Sequence, residues 1–190
     1  MDTSDTVDAI VLAASAELRD SGIGAFRIRQ VAQRAGVSPG TVTHYFPTSR
    51  ELLEAVIEAF QRQAWSLWLD QPRATGRVDA EVLIERLYRL CCEHREIVRA
   101  RLFLTAQDGR ISGPNWRGSL GPFLEALGSR TSIDKRLIGH TVVFLAMRYA
   151  IHPEEELLAL CGVDDVATAH KAVVAHLRAI ALTTDWSQPG

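Results

Sequence analysis

Three cysteines in 190 residues leave little material for a disulfide or thiolate framework. Cys91 and Cys92 are adjacent, Cys161 is far away, and no CxxC or Cys/His ligand spacing occurs, so buried free thiols are expected. No apolar run reaches the ~18 to 20 residues of a membrane helix. The start, MDTSDTVDAI, is acidic and lacks the basic and apolar regions of a signal peptide, which makes a cytoplasmic protein the expectation. Six histidines are scattered without an HxxxH or HExxH pair, and there is no GxSxG or phosphate-binding loop. Neither an enzyme, a metal site nor a cofactor is therefore expected. No segment sustains the period-two alternation of a half-buried strand, and there is no repeat or low-complexity tract.

The most informative absence is local. Between Ser21 and Arg50 there is no Asp or Glu, while Arg27, Arg29, Arg34 and Arg50 all fall inside. Acids flank the window: Asp2, Asp5, Asp8, Glu17 and Asp20 before it, Glu51, Glu54 and Glu58 after it. In a chain of net charge −2, such a window is an electrostatic footprint for nucleic acid or a chance cluster.

What is present reads as helix. Val7, Ile10, Val11, Ala14 and Leu18 follow the spacing of one buried face over residues 6–20, and Gly22 and Gly24 end that helix. Ile28, Val31, Ala32 and Ala35 form a short pattern stopped by Gly36. Ser38 has the character of an N-cap with Pro39 at the first helical position, and Pro47 keeps the next helix short. Thr48 or Ser49 starts a longer helix, with Leu52, Leu53, Val56, Ile57 and Phe60 in its apolar stripe. The turn-rich stretch DQPRATGR, 70–77, is the best boundary. Further helices are expected over about 79–93, 95–107, 115–128, 132–150 and 163–183. The whole is all-α, with about nine helices.

A helix, a tight glycine turn and a two-turn helix over 28–45 is the spacing of a helix-turn-helix, whose second helix enters the major groove; an ordinary helical hairpin is the other reading. Val37 and Val42 hold the pair together, leaving Pro39, Gly40, Thr41, Thr43 and His44 on the exposed face. One two-turn recognition helix reads few base pairs, so useful specificity requires a homodimer on a roughly palindromic site.

The stretch GIGAFRIRQVAQRAGVSPGTVTHYFPTSRELLEAV, 22–56, resembles the DNA-binding domain of the TetR family of bacterial transcriptional regulators. The matches are Val31-Ala32, Ala35-Gly36-Val37-Ser38, Gly40-Thr41, Tyr45-Phe46 and Ser49-Arg50-Glu51-Leu52. Three departures stand out: Arg27 where the family caps its second helix with Ser or Thr, Thr43 where it often has a tyrosine, and Arg50 where it has a lysine. The resemblance implies domains at 1–48 (three-helix DNA binding), 49–69 (connecting helix) and 70–190 (ligand binding and dimerisation). It implies base contacts from Arg29, Thr41, Thr43 and His44, and phosphate contacts from Arg27, Ser38, Tyr45 and Arg50, with Pro39 and Gly40 on the same face.

It further implies a dimer through helices near 132–150 and 163–183. Ala169, Ala172, Ala175 and Ala179 would allow close approach beside Val166, Val173, Leu177 and Ile180, with intrachain core the alternative for part of that stripe. A small-molecule effector would bind among the middle helices, with Tyr88, Cys91, Phe103, Trp116, Phe123, His140, Phe144 and Met147 as lining candidates, each open also to being plain core. The function implied is a repressor released by its ligand. The alternative is a similar DNA-binding protein controlled by a partner protein, or with an architectural role. Ligand, operator and regulated genes are not legible in the sequence.

Overall fold

The computed structural model describes residues 3–69, 80–108 and 133–182. Nine helices make up these residues: α1 Thr3–Ala25, α2 Ile28–Ala35, α3 Pro39–Tyr45, α4 Ser49–Leu69, α5 Ala80–Glu93, α6 Arg95–Asp108, α7 Ile133–Ala150, α8 Glu154–Cys161 and α9 Val166–Leu182. The expected helix at 115–128 lies outside the described residues. No described helix is long and apolar enough to cross a membrane.

The chain divides into two compact units, one of residues 1–64 with 94–116, the other of 65–93 with 117–190. In the first, Ile10, Ala14 and Leu18 of α1 pack with Phe26, with Val31 and Ala32 of α2, and with Val42 of α3. Leu52, Val56 and Ile57 of α4 complete this core, together with Ile97, Ala100 and Leu104 of α6. Each of the larger side chains, Val, Leu, Ile and Phe, contributes about 1.5–3 kcal/mol on burial, and each alanine less. The placement of α6 differs from the expected division at residue 70. Its apolar stripe closes the N-terminal core, so the first unit is built from two separate stretches of chain.

Gly22 marks where α1 breaks: it has φ 69 and ψ 168 inside an otherwise helical run that continues to Ala25. One buried carboxylate was not anticipated. Glu17 lies on the inward side of α1, where Ser21 Oγ donates to it at 2.7 Å and Arg34 Nε at 2.8 Å. These bonds replace the water that burial removes.

The second unit packs α5, α7, α8 and α9. The α5 stripe is as expected, with Leu83, Ile84, Leu87, Leu90 and Cys91 all buried. The last expected helix, 163–183, is found as α9, and a short helix that was not expected, α8, precedes it. α8 begins after Pro153, carries Glu154, Glu155 and Glu156 in its first turn, and ends at Gly162 in the left-handed conformation (φ 64). These are ordinary start and stop signals. α9 then starts at Val166, because Asp165 caps it: the Thr168 backbone N–H donates to Asp165 Oδ1 at 2.8 Å. Val163 is left outside.

In α9, Ala169, Val173, Leu177 and Ala181 are buried within the chain, while Ala172, Ala175 and Ala179 are exposed. The expected dimer stripe is thus divided, and Ala169, Val173 and Leu177 belong to intrachain packing. In α7, Val142, Ala146 and Ala150 face inward, whereas Leu137 (61% exposed) and Phe144 (46%) face out.

Candidate nucleic-acid interface

The turn between α2 and α3 is set by Gly36, whose φ of 68 is the left-handed conformation that a Cβ disfavours. The Val37 N–H donates back to the Ala32 carbonyl at 3.0 Å, and that of Gly36 to Gln33 at 3.3 Å, closing the end of α2. Ser38 caps α3 as expected. Its Oγ accepts from the Thr41 N–H at 3.0 Å and lies 2.8 Å from Thr41 Oγ1. Pro39 follows at the start of the helix, and Phe46 ends it with φ −133. Thr48, rather than Ser49, caps α4 through the Glu51 N–H at 3.1 Å.

Val42 is fully buried and Val37 is half-buried against the core, so α3 is fixed by its inner face. Pro39, Gly40, Thr43 and His44 are exposed, and Thr41 is half-buried. Thr43 Oγ1 donates to the Gly40 carbonyl at 3.2 Å, which leaves its lone pairs for a donor from outside. The His44 ring meets Tyr45 edge-on, with centroids 5.1 Å apart, and Tyr45 is half-buried against the core.

The four arginines of the acid-free window are not equivalent. Arg34 donates to Glu17 at 2.8 Å and to Asp20 at 2.7 Å, which raises its pKa further. Arg50 is held by Asp108 and by Glu54, and is raised in the same way, with Asp108 the larger cause. Arg27 and Arg29, on the exposed start of α2, pair with no carboxylate among the described residues. Arg27 occupies the N-cap position without a side-chain cap bond and turns back to the Gly24 and Phe26 carbonyls at 3.2 and 2.8 Å. The local positive charge available to an outside anion is therefore half of what the sequence suggests. The neutralising acids are the flanking Glu17, Asp20 and Glu54, and the distant Asp108.

Among the described residues, the candidate ligand residues are divided between the two units, and those in the second unit between buried and exposed faces. Tyr88, Cys91 and Met147 are buried in the second unit. His140 and Phe144 stack on the outer face of α7, with centroids 6.4 Å apart. Phe103 is 47% exposed on α6, in the first unit. Trp116 and Phe123 lie outside the described residues. A groove of about 450 Å³ lies instead between α5 and α9. Along it Tyr88 Oη and His170 Nδ1 are 2.7 Å apart, and Arg178 donates to Glu85 at 2.9 Å. His170, Glu85 and Arg178 were not candidates, because pairing across two helices 82 or more residues apart leaves no local signal.

Residues 10–56 match the model of the bacterial regulatory proteins, tetR family. The chain is 42% identical over 59 residues to the HTH-type transcriptional regulator CymR of Pseudomonas putida, covering 31% of this chain and 29% of that protein. It is 35% identical over 80 residues to BetI of Yersinia pestis, covering 38% and 40%. Each match thus spans less than half of the relative. Likeness of fold extends further. A TetR variant from Acinetobacter baumannii, solved in complex with minocycline, superposes with a TM-score of 0.69 at 15% identity over 100% of this chain and 99% of that one. BioQ of Mycobacterium smegmatis gives 0.61 at 19% identity over 97% and 99%. Residues 10–56, which contain the helix-turn-helix, thus match the tetR family of bacterial regulatory proteins, and the described helices share the fold of the TetR structure.

Proposed function

We propose that this chain is a homodimeric, sequence-specific DNA-binding regulator, a repressor released from its operator by a small molecule. The observation that carries this reading is the outer face of α3. Small and polar groups, Gly40, Thr43 and His44, stand exposed on a helix fixed by buried Val42, with the exposed cations Arg27 and Arg29 of the same unit paired with no carboxylate among the described residues. Arg29 would read a base, for which guanine is the commonest partner of arginine. Arg27, Ser38 and Tyr45 would lie toward phosphate, and Arg50 would join them on leaving its carboxylates.

Dimerisation is supported by what the second unit leaves uncovered: Leu137 and Phe144 on α7, and Ala172, Ala175 and Ala179 on α9. The effector reading is supported by the groove between α5 and α9, whose volume lies in the ~300–1,000 Å³ range of small-molecule sites. α4 runs through both compact units and is the natural carrier of a signal between them.

A gel-shift titration of wild type and Arg29→Glu on a selected operator tests the DNA reading. Loss of binding by the variant, at unchanged melting temperature, supports it; equal binding rejects it. A compound that raises the melting temperature and also releases DNA identifies a ligand sensor, whereas release only by another protein identifies a partner-controlled one.

A further inference from the structure

Arg50 is occupied on two edges. Its Nε donates to Glu54 Oε1 at 3.0 Å, one turn along α4. Its Nη1 donates to Asp108 Oδ1 at 2.9 Å, and its Nη2 to the second Asp108 oxygen. The two parallel bonds to Asp108 form the fork geometry in which a guanidinium also grips a phosphate. The same pair of N–H edges cannot serve both anions at once.

Asp108 is the last residue of α6, in the same compact unit as Arg50. A carboxylate at the negative end of a helix dipole is unfavourable, and the guanidinium offsets it. Both side chains remain partly exposed, so a solvent-borne anion can reach the pair.

We propose that Asp108 is an intramolecular competitor for DNA phosphate, holding Arg50 in the free chain and thereby setting the affinity for DNA. The inference rests on the DNA-binding reading above. Arg50 is charged in both arrangements, so the exchange moves no proton. It replaces one oxyanion by another, and the closed pair lowers the apparent affinity by the fraction of chains in which Arg50 is open.

The test is a double-mutant cycle, read by fluorescence anisotropy on a labelled operator, with wild type, Asp108→Asn, Arg50→Ala and the double variant. A partly exposed ion pair predicts that Asp108→Asn binds about two- to sixfold more tightly per protomer. That gain should vanish in the Arg50→Ala background. Asp108→Ser, which removes the charge with a smaller side chain, should behave as Asp108→Asn does. Unchanged affinity in both Asp108 variants overturns the proposal. So does an equal gain with and without Arg50, which would mean only that a negative charge near DNA repels it. Failure of the wild type to hold any DNA specifically would instead sink the DNA-binding reading.

Discussion

Replacing Gly36 by alanine separates two reasons for a glycine at the turn of the helix-turn-helix. A Cβ built at Gly36 meets nothing within 4 Å, so the substitution creates no clash. Its φ of +68, however, places alanine in the left-handed region, at a cost of about 1–2 kcal/mol. Alanine also restricts the unfolded chain, which returns about 0.4–1 kcal/mol. The net expectation is a loss of about 1 kcal/mol, or roughly 2–4 °C in melting temperature for a chain of this size. Gly24→Ala is the internal control. Gly24 also has open space around its would-be Cβ, but no left-handed φ, so alanine there should be neutral or slightly stabilising. Urea denaturation at 25 °C of the three proteins decides. Equal stability of Gly36→Ala and wild type would refute the conformational argument, and a loss above about 3 kcal/mol would mean that close packing governs the turn.

Two further expectations concern the second unit. Asp165 accepts from the side chain and then the backbone N–H of Thr168, which hold its carboxyl below the usual carboxylate range. A depressed folded value means that the stabilisation is fully present above the unfolded value of ~3.9 and is lost as pH falls from there through the lower folded value. Asp165→Ala should therefore melt below wild type at pH 7, and the gap should narrow below about pH 4 in scanning calorimetry. Leu137→Asp with Phe144→Asp should convert a dimer to monomer in sedimentation velocity with little change in helicity, since both side chains are exposed within one chain. A variant that stays dimeric would move the interface elsewhere.

The sequence was legible where one short segment carries the whole signal. Gly36, Ser38-Pro39 and Pro47 punctuate α2 and α3 with local chemistry, and the helices fall where that chemistry puts them. It was less legible in α7, where apolar residues occur on every side and periodicity alone does not choose a buried face. Val142 and Ala146 turn in while Leu137 and Phe144 turn out. α8 was missed although Pro153, three glutamates and Gly162 frame it, because eight residues make a weak pattern. Charge was the hardest to read. Arg50 and Arg34 look alike beside Arg29 in the sequence, yet Asp108, 58 residues from Arg50, and Glu17, 17 residues from Arg34, bind them. Only the folding of α6 onto the N-terminal helices brings Asp108 near.

Selection of bound sequences from random duplex DNA by the full-length chain tests the central claim most directly. The account predicts enrichment of a two-fold symmetric site with half-sites about one helical turn, ~34 Å, apart, and loss of that enrichment in Arg29→Glu with Arg50→Glu. No enrichment by the wild type, or the same enrichment by the charge-reversed variant, would contradict it.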